Sequence, residues 1–213
     1  MALNGLYESA LALLDHKTIK RFRGERWKLY ANRGYWQSRI HKPDKAIRSF
    51  KKAICNIHNA YELNLREYAG LLNGLGYQYS ELRHYKSALP YFQKSLEIRN
   101  ALIEGKDDSA NSLNAMGYAY KMTGRIPQAK ECFLAALSLR QKAFGNNNPI
   151  VAESYNSIAS IFQIDGNIEG AIVAMGNAVA VYERFAPPDD KRLHVFRQRL
   201  ESYLACASSA ATQ

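Results

Sequence analysis

The sequence predicts an all-α protein made of stacked antiparallel helix pairs. The main observation is a repeat of about 42 residues, because small residues recur at separations of 42, 41 and 42, at Gly34, Gly76, Gly117 and Ala159. An alanine follows twelve residues after each, at Ala46, Ala88, Ala129 and Ala171. A large apolar side chain stands four residues further on, at Phe50, Phe92, Phe133 and Met175. No stretch alternates with the period of a strand. Repeats that each carry two helical patterns indicate an array in which every copy buries one face against the next.

The glycines inside the helical pattern need a separate reason, because glycine weakens a helix by about 1 kcal/mol relative to alanine. Leu72, Leu75, Gly76 and Tyr79 lie on one face of the first helix of the second repeat. We expect this face to meet the second helix of the same repeat. A small residue at the crossing lets the two backbones approach, so packing offsets the lost helix propensity.

The chain divides into four repeats between two capping helices. The predicted segments are an N-terminal cap at 1–26, repeats at about 27–68, 69–109, 110–151 and 152–185, a C-terminal cap at 186–206, and a frayed tail at 207–213. Pro43 and Pro127 fit the first turns of second helices, where a missing N–H costs little. Asn148 before Pro149 predicts an N-cap and a first-turn proline for the fourth repeat. In the C-terminal cap, polar side chains are expected to face outward, as the end of an array requires: Arg192, Arg197, Gln198 and Arg199.

The second repeat resembles the tetratricopeptide repeat signature. Leu72, Leu75, Gly76 and Tyr79 match L-x-x-L-G-x-x-Y, and Ala88 with Phe92 match A-x-x-x-F. The long period is similar to that of kinesin light chains, and the resemblance extends over residues 27–185. Repeat one departs from the signature, since Arg33 precedes Gly34 and Gln37 replaces the tyrosine. The resemblance implies a right-handed superhelical α-solenoid whose first helices line a concave groove, where partners of the family usually dock.

This resemblance places eleven candidate partner-binding residues on the concave groove. They are Lys28, Asn32, Tyr35, Arg39, Asn73, Tyr77, Asn111, Asn114, Tyr118, Lys121 and Asn156. Asparagine amides can pair with a peptide backbone, and tyrosines give broad, stiff contact area with a polar tip. Gly70 and Gly74 are expected to leave a shallow floor between them. The alternative is that the asparagines brace neighbouring repeats by hydrogen bonding.

Charge is concentrated at the N-terminal end of the sequence. The formal net charge is +10, and residues 1–60 carry 13 Lys and Arg against 4 Asp and Glu. This asymmetry favours an acidic partner or a nucleic acid at that end. Lys45, Arg48, Lys51 and Lys52 are expected to form a solvated outer face. The predicted function is therefore a non-catalytic adaptor that binds a peptide or extended protein segment. The alternative is a nucleic-acid-binding accessory protein that uses the basic N-terminal third, and steep salt dependence would distinguish it.

Catalytic, cofactor and metal sites find no support in the sequence. Cys55 and His58 have the spacing of two zinc ligands on one helix, but the other two ligands are missing. No nucleophile–base order or carboxylate pair stands out, so we predict neither an enzyme nor a cofactor. Three separated cysteines fit reduced thiols in a cytoplasmic protein. We expect no secretion signal and no membrane insertion, while self-association through repeat faces stays open.

Overall fold

The structure is a computed structural model that describes residues 26–57, 65–102, 106–187 and 189–210. The described part contains nine helices and no strand: α1 Arg26–Arg39, α2 Pro43–Ile57, α3 Leu65–Glu81, α4 Tyr85–Ala101, α5 Lys106–Met122, α6 Ile126–Phe144, α7 Pro149–Ile164, α8 Ile168–Tyr182 and α9 Lys191–Ala210. The predicted all-α class is confirmed for these residues. The predicted N-terminal cap lies outside them, apart from Arg26.

The chain forms two compact units, Met1–Glu104 and Gly105–Gln213, here called the N-terminal and the C-terminal unit. In the N-terminal unit α1 packs on α2 and α3 packs on α4, with α2 also against α3. In the C-terminal unit α5 packs on α6 and α7 on α8, and α9 packs against α8. Each pair therefore joins one predicted first helix to one predicted second helix.

Glycine at the helix crossing makes room for the phenylalanine of the paired helix. A Cβ atom added to Gly76 would lie 2.6 Å from Cε1 of Phe92, and one added to Gly34 would lie 2.8 Å from Cε1 of Phe50. Gly117 has the same relation to Phe133, at 2.8 Å. Phe50 and Phe92 are fully buried. The predicted close approach is confirmed, and the ring explains it, since a methyl group would overlap the ring.

The boundaries of the elements differ from the predicted ones by a few residues. α3, α5 and α7 begin three or four residues before the predicted starts of repeats two, three and four. α9 begins at Lys191 and extends to Ala210, so residues 207–210 are helical where a frayed tail was predicted. At the start of α7 the prediction is confirmed, because the Asn148 side chain accepts a hydrogen bond from Ile150 N at 2.9 Å, and Pro149 opens the helix.

A matched pair of glycines tests the packing explanation in the C-terminal unit. Gly117→Ala is expected to destabilise the protein by about 1–2 kcal/mol, because overpacking against Phe133 exceeds the gain in helix propensity. Gly176 lies inside α8, and a Cβ added there would meet nothing within 4 Å. Gly176→Ala should therefore stabilise the protein by about 0.5–1 kcal/mol. Urea unfolding followed by circular dichroism measures both changes, and equal signs would contradict the explanation.

Candidate functional site

Three tyrosines at the same repeat position present their rings to solvent. Tyr35, Tyr77 and Tyr118 are 44%, 42% and 43% exposed, in α1, α3 and α5 respectively. Tyr35 packs edge-to-face on Phe50 with ring centroids 5.0 Å apart, and Tyr77 does the same on Phe92 at 5.4 Å. One side of the Tyr35 and Tyr77 rings is thus held by the core, while part of each ring is exposed, as a contact surface requires.

In the N-terminal unit, the Tyr35 hydroxyl lies in a partly closed, charged environment. Burial raises the pKa of Tyr35, the Glu67 carboxylate raises it further, and Arg99 acts in the opposite direction. A Cβ added to Gly70 would lie 3.7 Å from this hydroxyl, which is ordinary contact. At Gly74 the added Cβ would lie 3.2 Å from Cζ of Phe50, so packing against the preceding helix pair accounts for Gly74.

The remaining candidates of the N-terminal unit differ in exposure. Lys28, Asn32 and Arg39 are exposed, and Asn73 is half-buried. The Lys28 ammonium lies 5.8 Å from the centroid of the Trp27 ring on the same helix. None of these four is among the described residues that line the groove of about 260 Å³ between α1 and α2. Three of these four predicted positions are therefore on the exposed surface of the N-terminal unit.

In the C-terminal unit, by contrast, candidate residues meet in a polar pocket of about 310 Å³. Asn114 from α5 and Asn156 from α7 both line it, as does Ser157. The other polar lining residues are charged: Arg140 from α6, Glu153 from α7, and Arg192 and Arg199 from α9. Val195 and Phe196 of α9 supply the apolar wall. We call this site the arginine pocket.

Arg140 is a buried arginine that the sequence analysis did not single out. Its Nη1 donates to Ser154 Oγ at 2.7 Å, and its Nη2 donates to Asn111 Oδ1 at 2.9 Å. Asn111 therefore braces the array, which is the alternative role proposed for the asparagines. Arg99 stands 41 residues earlier at the same repeat position and is also buried. This recurrence was the available signal for a structural arginine.

Two arginines of the last helix line the arginine pocket, although the sequence analysis expected them to face outward. Arg199 Nη1 donates to Asn156 Oδ1 at 2.7 Å, and Arg192 forms an ion pair with Glu153. Arg197 differs from both, because it pairs with Glu183 through two hydrogen bonds of 2.7 and 3.0 Å. Arg192 and Arg199 stay exposed, as expected, and each also contacts α7. Leu193 and Phe196 anchor the helix in the core, and each arginine lies beside that apolar stripe.

Lys121 adds a fourth cation near this site. Its ammonium donates to Ser160 Oγ at 3.3 Å and lies 5.5 Å from the centroid of the Tyr118 ring. Burial lowers the pKa of Lys121, and the nearby charge of Arg199 lowers it further. Arg140, Arg192 and Arg199 thus line the pocket with the single carboxylate of Glu153, and Lys121 lies near enough to feel the charge of Arg199. An anion entering the site would relieve their mutual repulsion.

Two further observations concern the described residues only. No group of three or more His, Cys, Asp or Glu side chains is arranged there to hold a metal ion. Cys55 is exposed, and His58 of the suggested zinc spacing lies outside the described residues. The search for membrane spans found no described helix with the length and apolar character to cross a bilayer.

Comparison with known proteins identifies the family. The model of the tetratricopeptide repeat family matches residues 67–133 and 108–184, which together are more than half of the chain. The chain belongs to the tetratricopeptide repeat family. Such repeats mediate protein–protein interaction, and arrays of them are typically non-catalytic scaffolds. The predicted fold class, an α-solenoid of helix pairs, is therefore confirmed.

The relatives point to the kinesin light chain type within this family, as predicted. Protein KINESIN LIGHT CHAIN-RELATED 3 of Arabidopsis thaliana is 29% identical over 82 residues, which are 37% of this chain and 12% of that protein. The crystal structure of BtubC (BKLC) from P. vanneervenii superimposes with a TM-score of 0.82 at 16% identity, covering 98% of this chain and 85% of that chain. The crystal structure of the apo form of RapI superimposes with a TM-score of 0.78 at 15% identity, covering 96% of this chain and 60% of that chain.

Proposed function

We propose that the protein is an adaptor that binds an extended peptide segment of a partner protein, and that the arginine pocket holds an acidic side chain of that segment. The observation that carries the proposal is the charge of the site. Three arginines, Arg140, Arg192 and Arg199, line it with one carboxylate, and the charge of Arg199 also acts on Lys121 nearby. Such an excess is costly unless an anion is present. A pocket of about 310 Å³ accommodates a side chain rather than a folded surface.

The internal contacts support a carboxylate as the anion. Glu153 already pairs with Arg192 in the pocket, so its geometry suits a carboxylate. Arg140 and Arg199 each donate guanidinium N–H groups to amide or hydroxyl oxygens. A guanidinium has five N–H donors, so Arg199, which uses one for Asn156, keeps others for a bound anion.

Two neighbouring residues are suited to the peptide itself. The Asn114 side chain lines the pocket and makes no hydrogen bond to the described residues. Its amide can therefore donate to a peptide carbonyl and accept from a peptide N–H. Tyr118, on the same helix, exposes 43% of its surface for apolar contact. The predicted roles of Asn114, Tyr118 and Lys121 are part of this proposal, as is a cytoplasmic location.

The experiment compares acidic peptides with neutral ones. Fluorescein-labelled peptides that differ only by Glu or Gln at one position are titrated with the intact protein, and anisotropy reports binding. The Glu peptides should bind at least about tenfold more tightly, the usual value of one charge-assisted contact. Arg199→Gln and Asn114→Ala should each weaken binding of the Glu peptides.

Arg197→Gln is the matched control. It removes the same charge from the same helix, but Arg197 pairs with Glu183 and does not line the pocket. This variant should bind like the wild type. Equal binding of Glu and Gln peptides, or an equal loss in Arg197→Gln and Arg199→Gln, would refute the proposed pocket.

A further inference from the structure

The N-terminal unit has a second cationic site, which lies between α1 and α2. A groove of about 260 Å³ is lined by Arg33 and Gln37 of α1 and by Lys45, Arg48, Ser49 and Lys52 of α2. None of the described residues that line it carries a carboxylate. We call it the α1–α2 groove. It shares no residue with the arginine pocket, so it calls for its own explanation.

The floor of the α1–α2 groove is polar where later repeats are apolar. Ser49 Oγ donates to Gln37 Oε1 at 2.6 Å, and both side chains are buried. At the position of Gln37, the next three repeats carry Tyr79, Tyr120 and Phe162. At the position of Arg33 they carry Leu75, Met116 and Ile158. The packing of a helix pair does not require polar residues at these positions, since three other pairs fold without them.

The cations of α2 form a row that is also particular to this repeat. Lys45, Arg48 and Lys52 are all exposed, as predicted for the outer face. Their spacing places them on one side of α2 along about 10 Å of helix, at 1.5 Å per residue. The matching positions of the later repeats together hold one cation: Ser87, Pro90, Lys94, Gln128, Glu131, Ala135, Gly170, Val173 and Asn177. A solvated helix face alone does not explain three cations in one repeat.

No acidic side chain of the described residues forms an ion pair with this row. Lys45, Arg48 and Lys52 form no ion pair there. The Lys52 ammonium lies 5.6 Å from the centroid of the Tyr30 ring, which orients it along the groove wall. Arg33 adds a cation from the opposite wall. Three outer cations and one inner cation therefore converge on a groove with an amide and a hydroxyl at its base.

We infer that the α1–α2 groove binds the phosphate backbone of a single-stranded nucleic acid. Every nucleotide of a strand carries one phosphate charge, so a cationic row of about 10 Å can face about two or three consecutive phosphates. An extended peptide presents a charge on one face only where its sequence places an acidic side chain, whereas every nucleotide of a strand carries a charge. The Tyr30 ring is buried, so no ring in the groove is open for base stacking. Recognition is therefore of the backbone and independent of base sequence.

The test measures binding of a fluorescein-labelled oligothymidylate to the intact protein at several salt concentrations. With about two or three phosphates neutralised, the logarithm of the binding constant should fall against the logarithm of salt with a slope of about −1.5 to −2. The triple variant Lys45→Gln, Arg48→Gln, Lys52→Gln should bind at least about tenfold more weakly at moderate salt. Its slope should approach zero, because each lost phosphate contact reduces it by about 0.7.

A second triple variant separates the groove from net charge. Lys86→Gln, Lys142→Gln, Lys191→Gln removes the same charge from exposed positions elsewhere, and it should keep the wild-type affinity and slope. Circular dichroism checks that both variants are folded. An equal loss in the two variants would overturn the groove as the site. Competition by oligoglutamate of equal charge at equal concentration would overturn nucleic acid as the ligand. Arg199→Gln should leave oligothymidylate binding unchanged, so this proposal and the peptide proposal fail independently.

Discussion

Replacement of Phe92 by alanine is expected to destabilise the protein by about 3–5 kcal/mol, the usual cost of truncating a buried phenylalanine. The ring is fully buried between α3 and α4 and packs against the backbone of Gly76. Removal of the ring leaves a cavity beside that glycine, because neither helix has a side chain there to fill it. Urea unfolding, followed by circular dichroism, measures the change. Phe144→Ala is the matched control, since Phe144 is 39% exposed and its loss should cost much less.

A double-mutant cycle makes the prediction specific to the Gly76–Phe92 contact. In the wild type, Gly76→Ala places a methyl group 2.6 Å from the Phe92 ring and should destabilise the protein. In the Phe92→Ala background the methyl group enters the cavity, so Gly76→Ala should be neutral or stabilising. The coupling between two residues in contact is typically about 0.5–3 kcal/mol. If the two substitutions are additive, the glycine is explained by something other than the ring.

The fold could be predicted from the sequence because its determinants repeat. Gly34, Gly76 and Gly117 each contact the phenylalanine sixteen residues later. Because the same contact occurs in three repeats, its spacing in the sequence predicts which helices pair. Ser95 shows how a departure is accommodated. It replaces an alanine of the other repeats, and its hydroxyl donates to the Ala69 carbonyl at 2.8 Å. Periodicity therefore identified the helices and the faces that they bury.

The candidate site was predicted only in part, because it depends on side chains that do not repeat. Asn114 and Asn156 were predicted because asparagine recurs at this repeat position. The charge of their pocket, however, comes largely from Arg192 and Arg199 of the last helix. That helix has no second copy in the repeats, so no recurring position indicated which of its arginine side chains would turn toward α7. Leu193 and Phe196 define its buried stripe, but the stripe alone does not indicate which of its two sides faces α7. The contacts of Arg192 with Glu153 and of Arg199 with Asn156 identify that side.

The thiol of Cys132 is expected to react far more slowly than a free cysteine. It is buried in α6, and burial raises its pKa from 9.0 to about 11, with the charge of Glu131 as a smaller contribution. Near pH 8 only about one thiol in a thousand is then ionised, against about one in ten at the ordinary value. Alkylation by iodoacetamide, followed by mass spectrometry, should therefore modify Cys132 at least about a hundredfold more slowly in the native protein than in urea. Cys55 and Cys206 are exposed and serve as internal controls.

The same shift makes Cys132 a source of alkaline instability. Since its pKa is higher in the folded than in the unfolded protein, the folded state holds the proton more tightly. The stability linked to Cys132 is therefore complete below about pH 9 and is lost as the pH rises toward 11, by roughly 2–3 kcal/mol. Cys132→Ala should be slightly less stable at neutral pH, because of the small cavity, but its stability should fall less between pH 8.5 and 10.5. Titration of Tyr203 and Lys121 is common to both proteins and cancels in the comparison. If stability falls with pH equally in the wild type and in Cys132→Ala, the thiol of Cys132 is accessible to solvent and its pKa is not raised. In that case iodoacetamide should also modify Cys132 rapidly in the native protein.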